Sequence, residues 1–291
     1  IFCKQLFILF RIKHMTKEKK YNICIFGSGE TVDGLILNFK NNESFNVSLH
    51  IPDPVINKKT FDKEIKKFKK LNDIDLCIVS DYRKKIDFFD KNSIWINIHA
   101  GLLPFYRGFS SNSWAILNNE KEVGFTIHEL TKEFDEGPIF FQKKYQINET
   151  ALYQDIRPEI INDIMNETPT VSLDILEGNI KSKEQNHELA KYCGKIKPED
   201  GYINNFDETT NHFFNLYRIF AKPLGTGMYL IKNKEKIEIE ELILPQINHN
   251  YKGITGIVVY KESNIHWVKT LDNIIGIKFK NLDKKIGSRL G

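Results

Sequence analysis

Ile94-Trp95-Ile96-Asn97-Ile98-His99-Ala100-Gly101-Leu102-Leu103-Pro104 is the stretch on which the fold turns. Isoleucines at 94, 96 and 98 alternate with Trp95, Asn97 and His99, a period of two that specifies an extended strand. Successive strand side chains point to opposite faces, so Asn97 and His99 share one face. Polar groups at a strand's carboxyl end, followed by a Gly/Pro loop, sit where open α/β sheets take their ligands.

Upstream, Tyr21 to Phe26 is an isoleucine-rich apolar run closed by Gly27-Ser28-Gly29, which reads as a buried first strand and a tight turn. Leu35, Ile36 and Phe39 suggest a helix. Phe45 to Ile51 reads as a second strand, and Thr60 to Leu71 as a Lys-rich amphipathic helix with Phe61, Ile65 and Phe68 on one side. Asp75 to Ser80 is the third strand and Ile94 to Ile98 the fourth. Strands separated by helices specify an α/β fold with a Rossmann-like, doubly wound, mostly parallel sheet. The Gly-x-Gly turn is not a dinucleotide fingerprint: Val32 stands where the third glycine belongs, and no acidic residue ends a clear second strand.

Downstream, Ser110 to Leu117 reads as a helix capped by Ser110 or Ser111. Val123 to Glu129 and Ile139 to Ile147 are strands flanking a turn at Asp135. Thr150 to Leu176 is helical but expected to break at Pro158 and Pro169. Lys197-Pro198-Glu199-Asp200-Gly201 opens a second unit, with one short helix around Phe213 to Ile219 and five short strands between Tyr229 and Phe279. The expected organisation is a larger α/β domain over 15–180, a linker over 181–196 and a smaller β-rich domain over 197–286. Residues 1–14, an apolar run interrupted by Lys4, are too short to span a bilayer; they read as a leader upstream of a start at Met15. Gly287 to Gly291 reads as unstructured.

The 291 residues are 41% hydrophobic and 27% charged, a globular composition. The net charge of +4 comes from 42 Lys and Arg spread beside 38 acids. Such a balance allows an anionic substrate without demanding an extended nucleic-acid surface. The four cysteines are too scattered for a metal site or a disulfide framework, which fits a reducing, cytoplasmic compartment. No membrane partner is expected, and a homodimer through the β-rich tail is left open.

An ordered pattern runs through the central stretch: Asn97-x-His99, Leu102-Leu103-Pro104, Tyr106-Arg107-Gly108, Gly124-Phe125-Thr126-Ile127-His128, then Asp135-Glu136-Gly137. It resembles the 10-formyltetrahydrofolate-dependent formyltransferases, departing only at Gly101, where that family usually has Ser. The β-rich tail resembles the modules that follow the catalytic domain in tRNA- and sugar-directed members. The resemblance implies that Asn97, His99 and Asp135 are the catalytic residues, with 10-formyltetrahydrofolate as co-substrate and no metal. Formyl transfer is acyl transfer to an amine. Asn97 suits donation of N–H bonds to the developing oxyanion, His99 suits a base near neutrality, and Asp135 suits holding its tautomer. His128 reads as a strand residue that packs or bonds locally.

The same resemblance implies folate contacts at Tyr82, Arg83, Leu103 and Phe134, and substrate contacts at Tyr106 and Arg107, since a guanidinium suits a phosphate. Three acceptors compete. Glycinamide ribonucleotide enzymes lack a trailing β module. Initiator-tRNA enzymes carry a basic, Arg-rich loop after the second strand, where this chain has Pro52-Asp53-Pro54-Val55. A dTDP- or UDP-linked amino-deoxysugar ranks first, methionyl-tRNA second. A catalytically silent folate- or nucleotide-binding module is the alternative of another class.

Overall fold

The computed structural model describes residues 19–86, 92–247, 249 and 251–290. The expectations for residues 1–14 and Met15 lie outside the described residues. In chain order the elements are β1 (Tyr21–Phe26), α1 (Glu30–Asn41), β2 (Phe45–Ile51), α2 (Lys58–Phe68), β3 (Leu76–Ser80), β4 (Ile94–His99), β5 (Arg107–Gly108), α3 (Ser111–Leu117), β6 (Glu122–Glu129), β7 (Ile139–Gln146), α4 (Tyr153–Leu176), β8 (Tyr192–Cys193), α5 (Thr210–Phe220), β9 (Met228–Lys232), β10 (Glu235–Ile243), β11 (Val258–Glu262), β12 (Ile265–Lys269) and β13 (Ile274–Phe279).

The main sheet runs β2-β1-β3-β4-β6-β7. β1 pairs in parallel with β2 and β3, and β3 with β4. This is the doubly wound architecture expected of apolar runs separated by amphipathic helices. Because β2 lies on one side of β1 and β3 on the other, the strand order reverses at β1 and β3. A crevice for ligands opens at such a reversal, beyond the strands' carboxyl ends.

The chain divides into two compact units. The first comprises the described residues up to His99 together with 127–141 and 161–185; the second comprises 100–126, 142–160 and 186–290. In the first, Cys24, Phe26, Ile51, Phe68, Cys77, Val79 and Trp95 form one core cluster. Phe26 anchors it, with ring centroids 5.2 Å from both Phe68 and Trp95. Gly27 is required here. Its φ is +136°, and a Cβ would lie 1.7 Å from the Ser80 carbonyl oxygen, so only glycine lets the turn after β1 approach the end of β3.

Helix α4 runs unbroken through Pro158 and Pro169, against expectation. Pro169 supplies no N–H to the carbonyl one turn earlier, that of Met165. Asn38 Nδ2 donates to that oxygen instead, at 2.8 Å, which removes the penalty that would have ended the helix.

In the second unit an antiparallel sheet, β11-β12-β13-β10-β9, packs with α5 around Phe206, Phe213, Phe214, Phe220 and Ile277. The tail expected to be unstructured is bonded through residue 290. Val258 N–H donates to Ser288 O, Leu290 N–H donates to Gly256 O, and the Leu290 side chain is 1% exposed. Its apolar side chain fills the core that the short strands leave open. The stretch read as a linker is also anchored. Ile139 and Lys183 exchange backbone hydrogen bonds, and β8 pairs in parallel with β5.

Candidate active site

β4 ends in Asn97 and His99, and the loop between β6 and β7 brings Asp135 to them. The His99 Nδ1 lies 3.3 Å from Asp135 Oδ2. Asn97 Nδ2 donates to Asp135 Oδ1 at 3.1 Å. His99 and Asp135 are buried, at 5% and 8% exposure. The period-two reading of β4 explains the convergence, since residues 97 and 99 project from one face. Asp135 has φ +57°, a left-handed conformation that Asp tolerates better than most residues. The turn is held by buried Gln185, whose Nε2 donates to Asp135 O at 2.8 Å and to Gly137 O at 2.7 Å.

A fourth side chain joins the cluster. His128, on β6, sits with Nε2 3.0 Å from Asn97 Nδ2 and 3.5 Å from Asp135 Oδ1. Its bond is to a site residue as well as local. The Asn97 amide nitrogen therefore lies between the His128 ring and the Asp135 carboxylate.

The carboxyl ends of β1, β2 and β3 are tied together by Asp53, which is fully buried. Its N–H donates to Ser28 Oγ, Val55 N–H donates to its Oδ1, and Arg83 N–H donates to its Oδ2 at 2.6 Å. This fixes the segment carrying Tyr82 and Arg83. Tyr82 stands edge-on to Phe26, and the Arg83 side chain is exposed. Phe134, next to the Asp135 turn, is 48% exposed.

Leu103, Tyr106 and Arg107 belong to the second unit. Leu103 is buried, with its N–H on Thr126 Oγ1 and its carbonyl accepting from Gln142 Nε2. Arg107 is 1% exposed. Its guanidinium lies 3.0 Å from Tyr192 Oη and 3.1 Å from His187 Nδ1. Tyr106 donates its hydroxyl to Glu120, and burial, reinforced by that bond, pushes its ionisation up. An Arg expected to reach a phosphate is thus turned inward, because the β5–β8 pairing closes over it.

Gln185, Asp53 and His128 were not singled out as site residues from sequence. His128 carried a signal, its place in Gly-x-Thr-x-His; Gln185 carried none. Among the described residues, no group of three or more His, Cys, Asp and Glu is arranged to hold a metal ion. None of their helices is long and apolar enough to cross a membrane.

A family model described as formyl transferase matches residues 8–161. The bifunctional polymyxin resistance protein ArnA of Wigglesworthia glossinidia brevipalpis is 30% identical over 205 residues, 64% of this chain and 31% of that protein. The methionyl-tRNA formyltransferase of Thermotoga neapolitana is 28% identical over 216 residues, 72% of this chain and 66% of that protein. The chain thus spans less than two thirds of the length of either relative. Among solved structures, the N-formyltransferase from Helicobacter canadensis, in complex with folinic acid and dTDP-3-aminofucose, matches with a TM-score of 0.69 at 17% identity. The match covers 89% of this chain and all of that one, a likeness of fold. With the family model covering more than half of its residues, the chain belongs to the formyl transferase family.

Proposed function

We propose that the protein is an N-formyltransferase that moves a formyl group from 10-formyltetrahydrofolate to the amino group of a dTDP- or UDP-linked amino-deoxysugar, a glycan precursor. The observation that carries this reading is the convergence of half-buried Asn97 with buried His99 and Asp135 at the carboxyl end of β4.

The donor, when bound, supplies a formyl carbon open to attack by an amine. His99, with Nδ1 against Asp135, takes the amine proton on its imidazole, the carboxylate stabilises the resulting cation, and His99 gives that proton to the departing N10 of the folate as the bond between N10 and the formyl carbon breaks. Burial strengthens that pairing, since little water competes for either group. The residues that fit a folate are Tyr82 and exposed Phe134 as apolar surfaces, with exposed Arg83 suited to its carboxylate tail. Tyr106 and Arg107 shape the loop beyond Pro104 through their inward bonds.

The sugar acceptor is supported by the ligand named for the Helicobacter canadensis enzyme and by the absence of a basic insertion. Only Pro52-Asp53-Pro54-Val55-Ile56-Asn57 joins β2 to α2, and it contains no Arg. Methionyl-tRNA is the second reading, favoured by the name of the Thermotoga neapolitana relative. The test is a formyl-transfer assay with 10-formyltetrahydrofolate, run side by side on dTDP- and UDP-linked 3- and 4-amino-deoxysugars and on charged initiator tRNA. A mass gain of one formyl group on a sugar is expected. Formylated tRNA with unreacted sugars would overturn the acceptor assignment, and turnover of neither would overturn the activity.

A further inference from the structure

Gln185 is 6% exposed and grips the turn that carries Asp135 from a distant part of the chain. Its Nε2 lies 2.8 Å from the Asp135 carbonyl oxygen and 2.7 Å from that of Gly137. Carbonyl oxygens only accept, so the amide nitrogen faces them and gives one hydrogen to each. Turning the amide over would set Oε1 against both. Two carbonyls on either side of Glu136 are thereby drawn to a single point, which fixes the backbone between them.

The segment carrying Gln185 is itself tied to both strands that flank the turn. Ser182 Oγ donates to Glu129 Oε1 at 2.6 Å, at the end of β6. Lys183 exchanges backbone hydrogen bonds of 2.7 and 2.8 Å with Ile139, at the start of β7. The base of the loop is closed without Gln185. Glu129 N–H donates to Pro138 O at 2.8 Å, and a Cβ on Gly137 would lie 1.9 Å from the Glu129 carbonyl oxygen. What Gln185 adds is a hold on the turn above that base, where Asp135 stands at φ +57°. The placement of that turn decides what the carboxylate can reach. Its Oδ2 lies 3.3 Å from His99 Nδ1 and its Oδ1 3.1 Å from Asn97 Nδ2. The two oxygens of a planar carboxylate are fixed relative to each other, so both contacts hold at only one placement.

We propose that Gln185 is a positioning residue: by clamping the carbonyls of Asp135 and Gly137 it holds the Asp135 carboxylate against His99, so that the imidazolium formed on proton uptake keeps its counter-charge. This assignment rests on the formyl-transfer reading above. Gln185 touches neither donor nor acceptor in it and acts through Asp135 alone.

The test follows the His99 ring and turnover in parallel. Protein carrying ¹⁵N-labelled histidine is titrated as wild type and as Gln185→Met, which keeps the length of the side chain and removes both donors. A carboxylate close to an imidazole favours its charged form, so loosening the pairing lowers the pH at which the ring gives up its proton. The His99 midpoint is expected to fall by about 0.3 pH unit or more. His128, 3.5 Å from the same carboxylate, is assigned separately in the same spectra. In an Asp135→Asn background, Gln185→Met should leave the His99 midpoint where Asp135→Asn alone puts it. The kcat for the amino sugar is expected to fall about tenfold in Gln185→Met, as for a misplaced catalytic group. A residue that only stabilises the fold would lower the urea midpoint and leave the His99 titration of the folded protein unmoved. Should Gln185→Met not fold, Gln185→Asn, whose amide falls one methylene short of the two carbonyls, is read in the same way. A smaller shift of the His99 midpoint, or a kcat within about twofold of wild type, would overturn the proposal. If wild-type protein formylates no acceptor, the formyl-transfer reading fails separately, and the His99 midpoint alone decides the positioning.

Discussion

Asn97 and His99 meet on one carboxylate, that of Asp135. Asp135 divides its oxygens between the two partners, Oδ2 toward His99 and Oδ1 toward Asn97. Removing either partner leaves a buried carboxylate short of a donor, as well as removing a group from the chemistry. His99→Ala and Asn97→Ala are each expected to cut turnover by at least about 10², with folinic acid binding near wild type and the urea midpoint lowered by the donor the carboxylate loses. Near-normal kcat in either variant would mean that the site lies elsewhere. The convergence of these three side chains was legible because strand periodicity put two of them on one face and the ordered pattern supplied the third. Arg107 was misjudged in direction, because whether a loop Arg points in or out depends on β8, a pairing partner some eighty-five residues away. Gln185 was invisible for a similar reason: it bonds backbone carbonyls, and any side chain sequence could surround such a bond.

The strands of the two larger sheets and most helices fell within a few residues of where apolar periodicity put them, because burial on a sheet imposes the period directly; the short β5 and β8, read as loop and linker, did not. Helix α4 did not, and the reason is local. The carbonyl of Met165 lost its partner to Pro169 and regained one from Asn38. Asn38→Ala is expected to cost about 1–2 kcal/mol by urea denaturation, and much less in a Pro169→Ala background, where the helix supplies its own N–H. Equal costs in both backgrounds would show the bond to be incidental. Helix α5 begins in a comparable way, with the Thr210 N–H and hydroxyl both donating to Asp272 Oδ1, joined by the Thr270 hydroxyl. Burial pulls the Asp272 carboxyl upward, but these bonds outweigh it and leave the group below the usual carboxylate value. A depressed folded-state value stabilises the fold above about pH 4 and loses that contribution as pH falls through the folded value. Asp272→Asn should therefore melt below wild type at pH 7, with the gap in Tm narrowing as the pH is lowered toward 3. A gap that stays constant with pH would assign the effect to shape alone.

At the scale of the whole molecule, neither compact unit is a continuous piece of chain. The second unit gathers residues 142–160 with 186–290, and Arg218 is the clearest link within it. Its guanidinium is 2% exposed and donates to the carbonyls of Asn148 and Ala151 and to Asn215 Oδ1. Burial pulls its ionisation below that of a free guanidinium, but with these acceptors in place it is held as the cation. Arg218→Met strips donors from three groups and is expected to cost roughly 3 kcal/mol or more in unfolding free energy. A loss under about 1 kcal/mol would mean that water replaces the side chain there. This interleaving has a consequence for a chain made from one end. The Asn148 and Ala151 carbonyls leave the ribosome well before Arg218 has been translated, so an early part of the second unit must wait, open, for a late one. Slower synthesis across residues 160–218 would lengthen that wait, and chaperone capture of nascent chains should peak there.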